Sequence, residues 1–428
     1  MQTLQLDDAK KKKILATLLL TVFLDLLGVT IVIPIVAPLF LDLKNGMMPF
    51  STDGIAPQNI ATAIKDAIHY RTIVYAFLVA SFPLAQFFGA PYLGALADKI
   101  GRKKVLTYSI IGTLIGYILF AVGIHYNLVW LLFVSRIIDG FSGGNIAIAF
   151  SSIADISTPE TKTKNFGLIG AAFGLGFIIG PYIGGKLADP SIVSWFNYET
   201  PYIVSAILAF VNIFMVIYLY YETLTKKSDK PINLFQGFIN LKKAFSIPQT
   251  RVLFSVVFFT TLGFTMFTTF FIVFLNDKFH FTTSKIGDYF AYIGLFIAFT
   301  QGFLSRKLSH ILPENILRIV CIGLAASLVI VTLPNLVWVL YLVTPLIAIN
   351  QGMLAPNLQT LVSNSVGPEK QGEISGINQS VQSIAQAFPP IIAAFLVTQG
   401  QSFALYGAAF FTFIAWAIFT FFYKKQQA

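Results

Sequence analysis

The sequence predicts an all-helical integral membrane protein whose twelve transmembrane helices form two pseudo-symmetric six-helix bundles. Three observations lead there. Of 428 residues, 56% are hydrophobic and 11% charged, with a mean hydropathy of +0.75, whereas soluble domains carry about 25% charged residues. Twelve apolar runs reach the roughly 20 residues that a membrane helix needs. They lie near 14–41, 71–96, 104–125, 128–154, 165–188, 201–222, 250–275, 285–308, 314–334, 336–362, 372–398 and 402–423. The largest hydrophilic interruption, Glu222 to Thr250, divides them six and six. An N-terminal bundle over 1–222, a cytoplasmic linker over 223–249 and a C-terminal bundle over 250–428 follow.

Charge sets the topology. With the N-terminus inside, 22 of the 29 Lys and Arg fall on inside segments. Six fall outside (Lys44, Lys65, Arg71, Lys186, Lys278, Lys285), and Arg136 alone is intramembrane. This skew obeys the positive-inside rule and puts both termini in the cytoplasm. The net charge of +10 is no nucleic-acid surface, because the cations sit between apolar runs facing the lipid bilayer.

The first run follows Lys10 to Lys13, yet it is too long for a signal peptide, carries Asp25 and lacks a small-residue cleavage site. It reads FLDLLGVTIVIPIVAP, with Gly28, Pro34 and Pro38. A carboxylate amid Leu, Val and Ile costs about 2.5–3.5 kcal/mol on insertion, so Asp25 should face a cavity, a partner or a proton path. A structural Asp bonded to neighbouring backbone is the alternative, and the prolines shape the helix. The outside segment 42–70 is long. In it, Pro57 followed by Ile60, Ile64 and Ile68 predicts a short helix on the outer surface.

The second run ends in FFGAPYLGALADKIGRKKVL, residues 87–106, with Gly94, Asp98, Gly101, Arg102, Lys103 and Lys104. Glycines allow a tight reversal at the cytosol, Asp98 can pair with Arg102 or a helix N-terminus, and the cations stay inside. These charge contacts are expected only while the inner ends of the bundles are together, which would make the turn a conformational switch. In the fourth run, SRIIDGFSGGNIAIAF, Arg136 and Asp139 are three residues apart and share a face. They form either a static pair or a second protonatable carboxylate gated by the arginine. The fifth run, GAAFGLGFIIGPYIGG, carries Gly176, Gly180, Pro181, Gly184 and Gly185. Small residues four apart let helices approach closely, and Gly-Pro gives a pliable kink.

The linker reads KKSDKPINLFQGFINLKKAF. It predicts a short amphipathic helix with Leu234, Phe238 and Leu241 on one face and Lys242 and Lys243 toward phosphate headgroups. LSRKL at 304–308 echoes the turn after the second run, as parallel repeats require. The second half has no carboxylate deep in a run; Asp288 and Glu373 fall near ends. Amides recur instead, and Asn378, Gln382 and Gln386 form one stripe. Candidates for lining a substrate cavity are Asn145, Phe267, Gln351, Asn357, Asn378 and Gln382, with helix bridging or core packing as the alternatives. Cys321 lies inside an apolar run and excludes an internal disulfide, and four scattered histidines lack ligand spacing. No nucleotide-binding loop or Ser/His/Asp arrangement is legible. The expectation is no metal, no cofactor and no enzyme, with a proton gradient as the energy source.

The turn after the second run resembles the signature loop of the major facilitator superfamily. The first-run pattern around Asp25 and the Gly-Pro-x-x-Gly-Gly ending of the fifth run resemble motifs of its twelve-span drug:proton antiporters, the tetracycline-efflux-like group, and Arg136 with Gly140 resembles the fourth-helix motif of the superfamily. Asp139 departs from that pattern, in which Gln or a small residue is usual. The resemblance implies a central cavity, rocker-switch alternating access and export of a small organic or drug-like compound against proton entry. Asp25, Arg136 and Asp139 become the proton-coupling candidates, and a monomer in a bacterial inner membrane the setting. Two other readings stay open: uptake of a nutrient or metabolite by proton symport, and a non-transporting sensor or scaffold.

Overall fold

In hydrocarbon, a helix satisfies all of its own backbone polar groups, so an apolar run of span length has one favourable form. All twelve runs are helical in the computed structural model, which describes residues 8–41, 47, 60–157, 159–224, 227–228, 231–246, 248–308, 311–366, 371–397, 399–400 and 402–423. The first span comprises Asp8–Ile31 and Ile33–Leu41, the second Ile60–Ile100, the third Arg102–His125, and the fourth Val129–Ser142 and Asn145–Ile156. The fifth is Pro159–Leu187, the sixth Thr200–Leu219 and the seventh Pro248–Phe279. The eighth is Thr283–Phe299, continued by a π-turn over Thr300–Leu304 and by Ser305–Lys307. Pro313–Ile330, Val337–Asn364, Gln371–Val397 and Phe403–Phe422 complete the set.

Packing follows a repeat. In the first half the first span lies on the fifth and sixth, the third on the fourth and sixth, and the second on the fourth. Adding six to each number gives pairs that also pack: seventh on eleventh and twelfth, ninth on tenth and twelfth, eighth on tenth. The halves meet where the fifth span packs on the eighth and the second on the eleventh. These two contacts exchange under the same relation, as two like bundles related by a twofold axis require.

Four features differ from the sequence reading. The helix expected on the outer surface is no separate element: Ile60, Ile64 and Ile68 begin one helix of 41 residues that continues as the second span. At 1.5 Å per residue it is about 60 Å long, twice the hydrocarbon thickness. Pro57, Lys44, Lys370, Lys424 and Lys425 lie outside the described residues. The fourth span, expected continuous over 128–154, is broken at Gly143 and Gly144, and the first is interrupted at Val32. Pro34 has no N–H to offer the preceding turn, and the Ile35 amide donates instead to the Val32 carbonyl at 3.1 Å.

The linker helix also turns a different face. It spans Gln236–Ser246, so Leu234 falls in the turn before it, and its buried residues are Gly237, Asn240 and Ala244. Phe235, Phe238 and Ile239 are exposed. Gly237 sits against the second span, where a Cβ would lie 2.7 Å from the Phe87 carbonyl oxygen. The Asn240 Nδ2 donates to Ser380 Oγ of the eleventh span at 2.9 Å. Lys243, expected at headgroups, pairs with Glu373 of the eleventh span. The small polar face therefore clasps both halves, while Phe235 and Phe238 stay largely exposed with their ring edges against Phe87 and Phe88 of the second span.

Candidate functional site

Asp25 is 9% exposed, and the Asn145 side-chain amide donates to its Oδ1 at 2.7 Å. Asn145 is in place because the fourth span breaks just before it. As first residue of the restarted helix, it accepts the Ile146 amide on its own Oδ1 at 2.8 Å. One side chain thus caps a helix start and holds a carboxylate, and the positive end of the helix dipole lies where negative charge is favoured. Asn145 was expected in the substrate cavity; here it is spent on Asp25 and is 3% exposed.

Arg136 and Asp139 share a face, as expected, yet they are not tightly paired. Arg136 Nη1 lies 3.7 Å from Asp139 Oδ2. Nη2 donates to the Tyr202 hydroxyl at 3.2 Å. The guanidinium lies 4.6 Å from the centre of the Phe120 ring, which stacks on Tyr202 at 4.1 Å. Cation–π attraction in a desolvated site is worth about 2 kcal/mol, so the aromatic pair shares the task of stabilising the charge. Asp139 Oδ2 and the Tyr117 hydroxyl, both buried, have no hydrogen-bond partner among the described residues. Close packing brings these groups together: a Cβ on Gly116 would lie 2.8 Å from that of Asp139, and one on Gly28 would lie 2.8 Å from the Tyr117 hydroxyl oxygen. Asp25, Tyr117, Arg136, Asp139 and Tyr202 form one titratable interior within the first six spans.

The turn between the second and third spans is built on carboxylates. Gly101 adopts φ 117°, a conformation that favours glycine. Arg102 pairs with Asp98 at 3.0 Å and, through Nε, with Asp155 at the end of the fourth span. Glu222 accepts the Arg102 amide at 3.0 Å and the Lys103 amide at 3.2 Å, capping the third span, and Lys103 Nζ donates to the Ile217 carbonyl at 2.7 Å. The Asp98–Arg102 contact is made across the turn itself, from the end of the second span to the start of the third, and every other partner of this turn named here belongs to the first half. A Cβ on Gly94 would meet nothing within 4 Å, so that glycine leaves open space. Asp155 and Glu222 were missed because their partners lie 53 and 120 residues away.

The glycines of the fifth span serve two neighbours. Gly176 lies against Leu26 and Leu27, Gly180 against Thr30 and Gly184 against Ile31 of the first span. Thr30 Oγ donates to the Gly176 carbonyl at 2.8 Å. Gly185 and the Pro181 carbonyl face Gly287 of the eighth span, at Cβ distances of 3.0 Å and 2.5 Å. Beside them Lys186 Nζ bonds Asp288 and Ser284, each at 2.9 Å. This end of the halves, opposite the linker, is closed by glycine contact and an ion pair.

The second-half candidates do not converge. Phe267 is 1% exposed and stacks at 4.6 Å on Phe271, within a ladder that continues to Phe274 and Tyr289. Asn357 donates to its own helix at the Met353 carbonyl, 2.7 Å away. Asn378 bridges to Gln359 of the tenth span at 3.2 Å. Gln351 keeps a buried Oε1 without a partner among the described residues, and Gln382 is half-buried.

Comparison with known proteins decides what kind of molecule carries this interior. Residues 18–390 match the family model of the Major Facilitator Superfamily. The chain belongs to the Major Facilitator Superfamily. As a member of that superfamily it is a multi-pass membrane transporter of a small molecule, and not an enzyme. It is similar to the class D tetracycline resistance protein of Salmonella ordonez, 31% identical over 77% of this chain and 81% of that one. The class C tetracycline resistance protein of Escherichia coli is 27% identical over 92% of both chains. Among solved structures, the human organic anion transporter MFSD10 (TETRAN) superposes with a TM-score of 0.72, covering 96% of this chain and 99% of that one at 21% identity. That likeness shows the fold.

Proposed function

We propose that this transporter exports a small organic, drug-like compound in exchange for protons, with Asp25 as the principal proton carrier. The observation that carries the reading is a carboxylate buried in the first span, held by a single side-chain amide at the start of a broken helix. A carboxylate so placed is costly unless its charge is used. Asp139, with an oxygen free of hydrogen bonds among the described residues, is the second carrier, and Arg136 offsets one of the two negative charges when both are ionised. Proton release from either carboxylate then depends on what approaches it. The similarity to tetracycline resistance proteins supports export of a drug-like compound. Uptake by symport is the weaker reading, since those relatives are resistance proteins.

The rest of the proposal concerns setting. The chain works as a monomer in a bacterial inner membrane with both termini cytoplasmic, consistent with the distribution of its cations. Its boundaries are a bundle over 1–222, a linker over 223–249 and a bundle over 250–428. Energy comes from the proton gradient without a cofactor. Gly94, Asp98, Gly101, Arg102 and Lys103 form the switch at the cytoplasmic end, and the glycines of the fifth span let the halves rock.

The test is purified protein in liposomes with an acidic lumen and tetracycline as the probe. Antiport accumulates the compound in the acidic lumen while protons leave, whichever way the protein inserts. Symport would drive it out of that lumen. Luminal depletion, or accumulation that persists when the pH step is collapsed, would overturn the proposal.

A further inference from the structure

The break in the fourth span leaves a carbonyl in the membrane interior without its helical donor, and a group so placed needs another. The donor for Gly143 comes from the second span: Gln86 Nε2 reaches the Gly143 oxygen at 3.1 Å. Position 143 has to be small for this, because a Cβ there would lie 2.8 Å from that nitrogen. The other end of the same amide is also used. Gln86 Oε1 accepts from Ser383 Oγ of the eleventh span at 3.3 Å, a contact between the two halves. Gln379 Nε2 donates to the same hydroxyl at 3.4 Å. Gln86 is 7% exposed and Ser383 fully buried, so water does not substitute for either bond.

Gly143 is two residues from Asn145, which holds Asp25. A chain of hydrogen bonds therefore runs from Asp25 through Asn145, the helix break and Gln86 to Ser383 in the opposite half. We infer that Gln86 is a positioning residue that couples the ionisation of Asp25 to the arrangement of the two halves, an inference that rests on the reading of Asp25 as the proton carrier. When Asp25 is ionised, Asn145 donates to it and the break is held in the geometry that Gln86 caps. Protonation weakens that bond, the restarted helix is free to shift, and the Gly143 carbonyl moves relative to Gln86. Ser383 must then change its own bond, and the contact between the second and eleventh spans responds. The other titratable groups facing this interior are Tyr117 of the third span, Arg136 and Asp139 of the fourth and Tyr202 of the sixth. Lys186 of the fifth is engaged at the far end with Asp288.

Nitroxide labels on Tyr108→Cys and Ile319→Cys, both exposed near the linker end of the third and ninth spans, report the separation of the halves in a Cys321→Ala background. No transported compound is needed, so failure of tetracycline export would count against the proposed function and leave this measurement standing. Otherwise unmodified protein should show two distance populations whose ratio changes between alkaline and acid buffer, and Asp25→Asn should abolish the change. Ser383→Ala should alter the acid response by about fivefold, the weight of one buried hydrogen bond. Ser383→Thr, which keeps the hydroxyl, should restore it, and Gln86→Met should lose it while melting as a folded protein. An unmodified protein without a pH response, or a Ser383→Ala protein that responds in full, would overturn the inference.

Discussion

The two halves share one architecture and differ in what fills it. The interior of the first holds Asp25, Arg136 and Asp139 with Tyr117 and Tyr202 around them. The second holds the ladder of Phe267, Phe271, Phe274 and Tyr289, and of its amides Asn378 bridges to the tenth span while Asn357 bonds its own helix. Like packing with unlike contents separates two tasks. Charged groups cost several kcal/mol each to bury, so they are confined to one bundle where neighbours can satisfy them. The other bundle is left apolar and amide-lined, free to move against the first without desolvating charge at each cycle.

The comparison breaks most readily at Arg136. Arg136→Gln leaves Asp139 without its cation, and the expected loss is about 3–5 kcal/mol of unfolding stability. Adding Asp139→Asn should return the protein to within about 1 kcal/mol of its starting stability. Unfolding in detergent, followed by tryptophan fluorescence, completes the cycle; additive losses would show that the two side chains act independently. In the second half, Phe271→Ala should cost a similar ~3–5 kcal/mol through the cavity it leaves. The difference is in kind: protons carried per molecule transported should be unchanged by Phe271→Ala and altered when Asp139 is removed. A changed ratio in Phe271→Ala would erase the division of tasks.

A smaller effect is expected at the turn. Glu222→Gln weakens the cap on the third span at a cost of about 1–2 kcal/mol, read as a lower melting temperature with transport per folded molecule retained. The smallest concerns Asn357, whose amide bonds its own helix. Asn357→Ala should change stability by no more than about 1 kcal/mol and leave the apparent affinity for the probe intact. A large loss of affinity would move Asn357 from the helix to the cavity wall.

These contrasts also mark what the sequence could carry. Span positions were legible because a bilayer demands apolar length, and Asp25 and Arg136 because charge in such a run stands out. The pairing of Gly176, Gly180 and Gly184 with the first span was legible only as closeness, since spacing says that a neighbour approaches and not which one. The break at Gly143 was invisible in principle: two glycines permit it, but whether it forms depends on Gln86, 57 residues away, supplying the missing donor. Asn145 was read as a cavity residue for the same reason, because its partner is fixed by the break. The long second helix was misread since Pro57 and the isoleucines after it match a helix start, and nothing local says that the helix continues into the span.

The central claim is that proton coupling resides in the first half and begins at Asp25. It is tested most directly by comparing Asp25→Asn with unmodified protein in the same acid-lumen liposomes, measuring tetracycline accumulation and, with no pH step, tetracycline exchange. The account predicts that the variant retains exchange, because the substrate path and the fold are intact, and loses accumulation against the gradient. Accumulation undiminished in Asp25→Asn would contradict it.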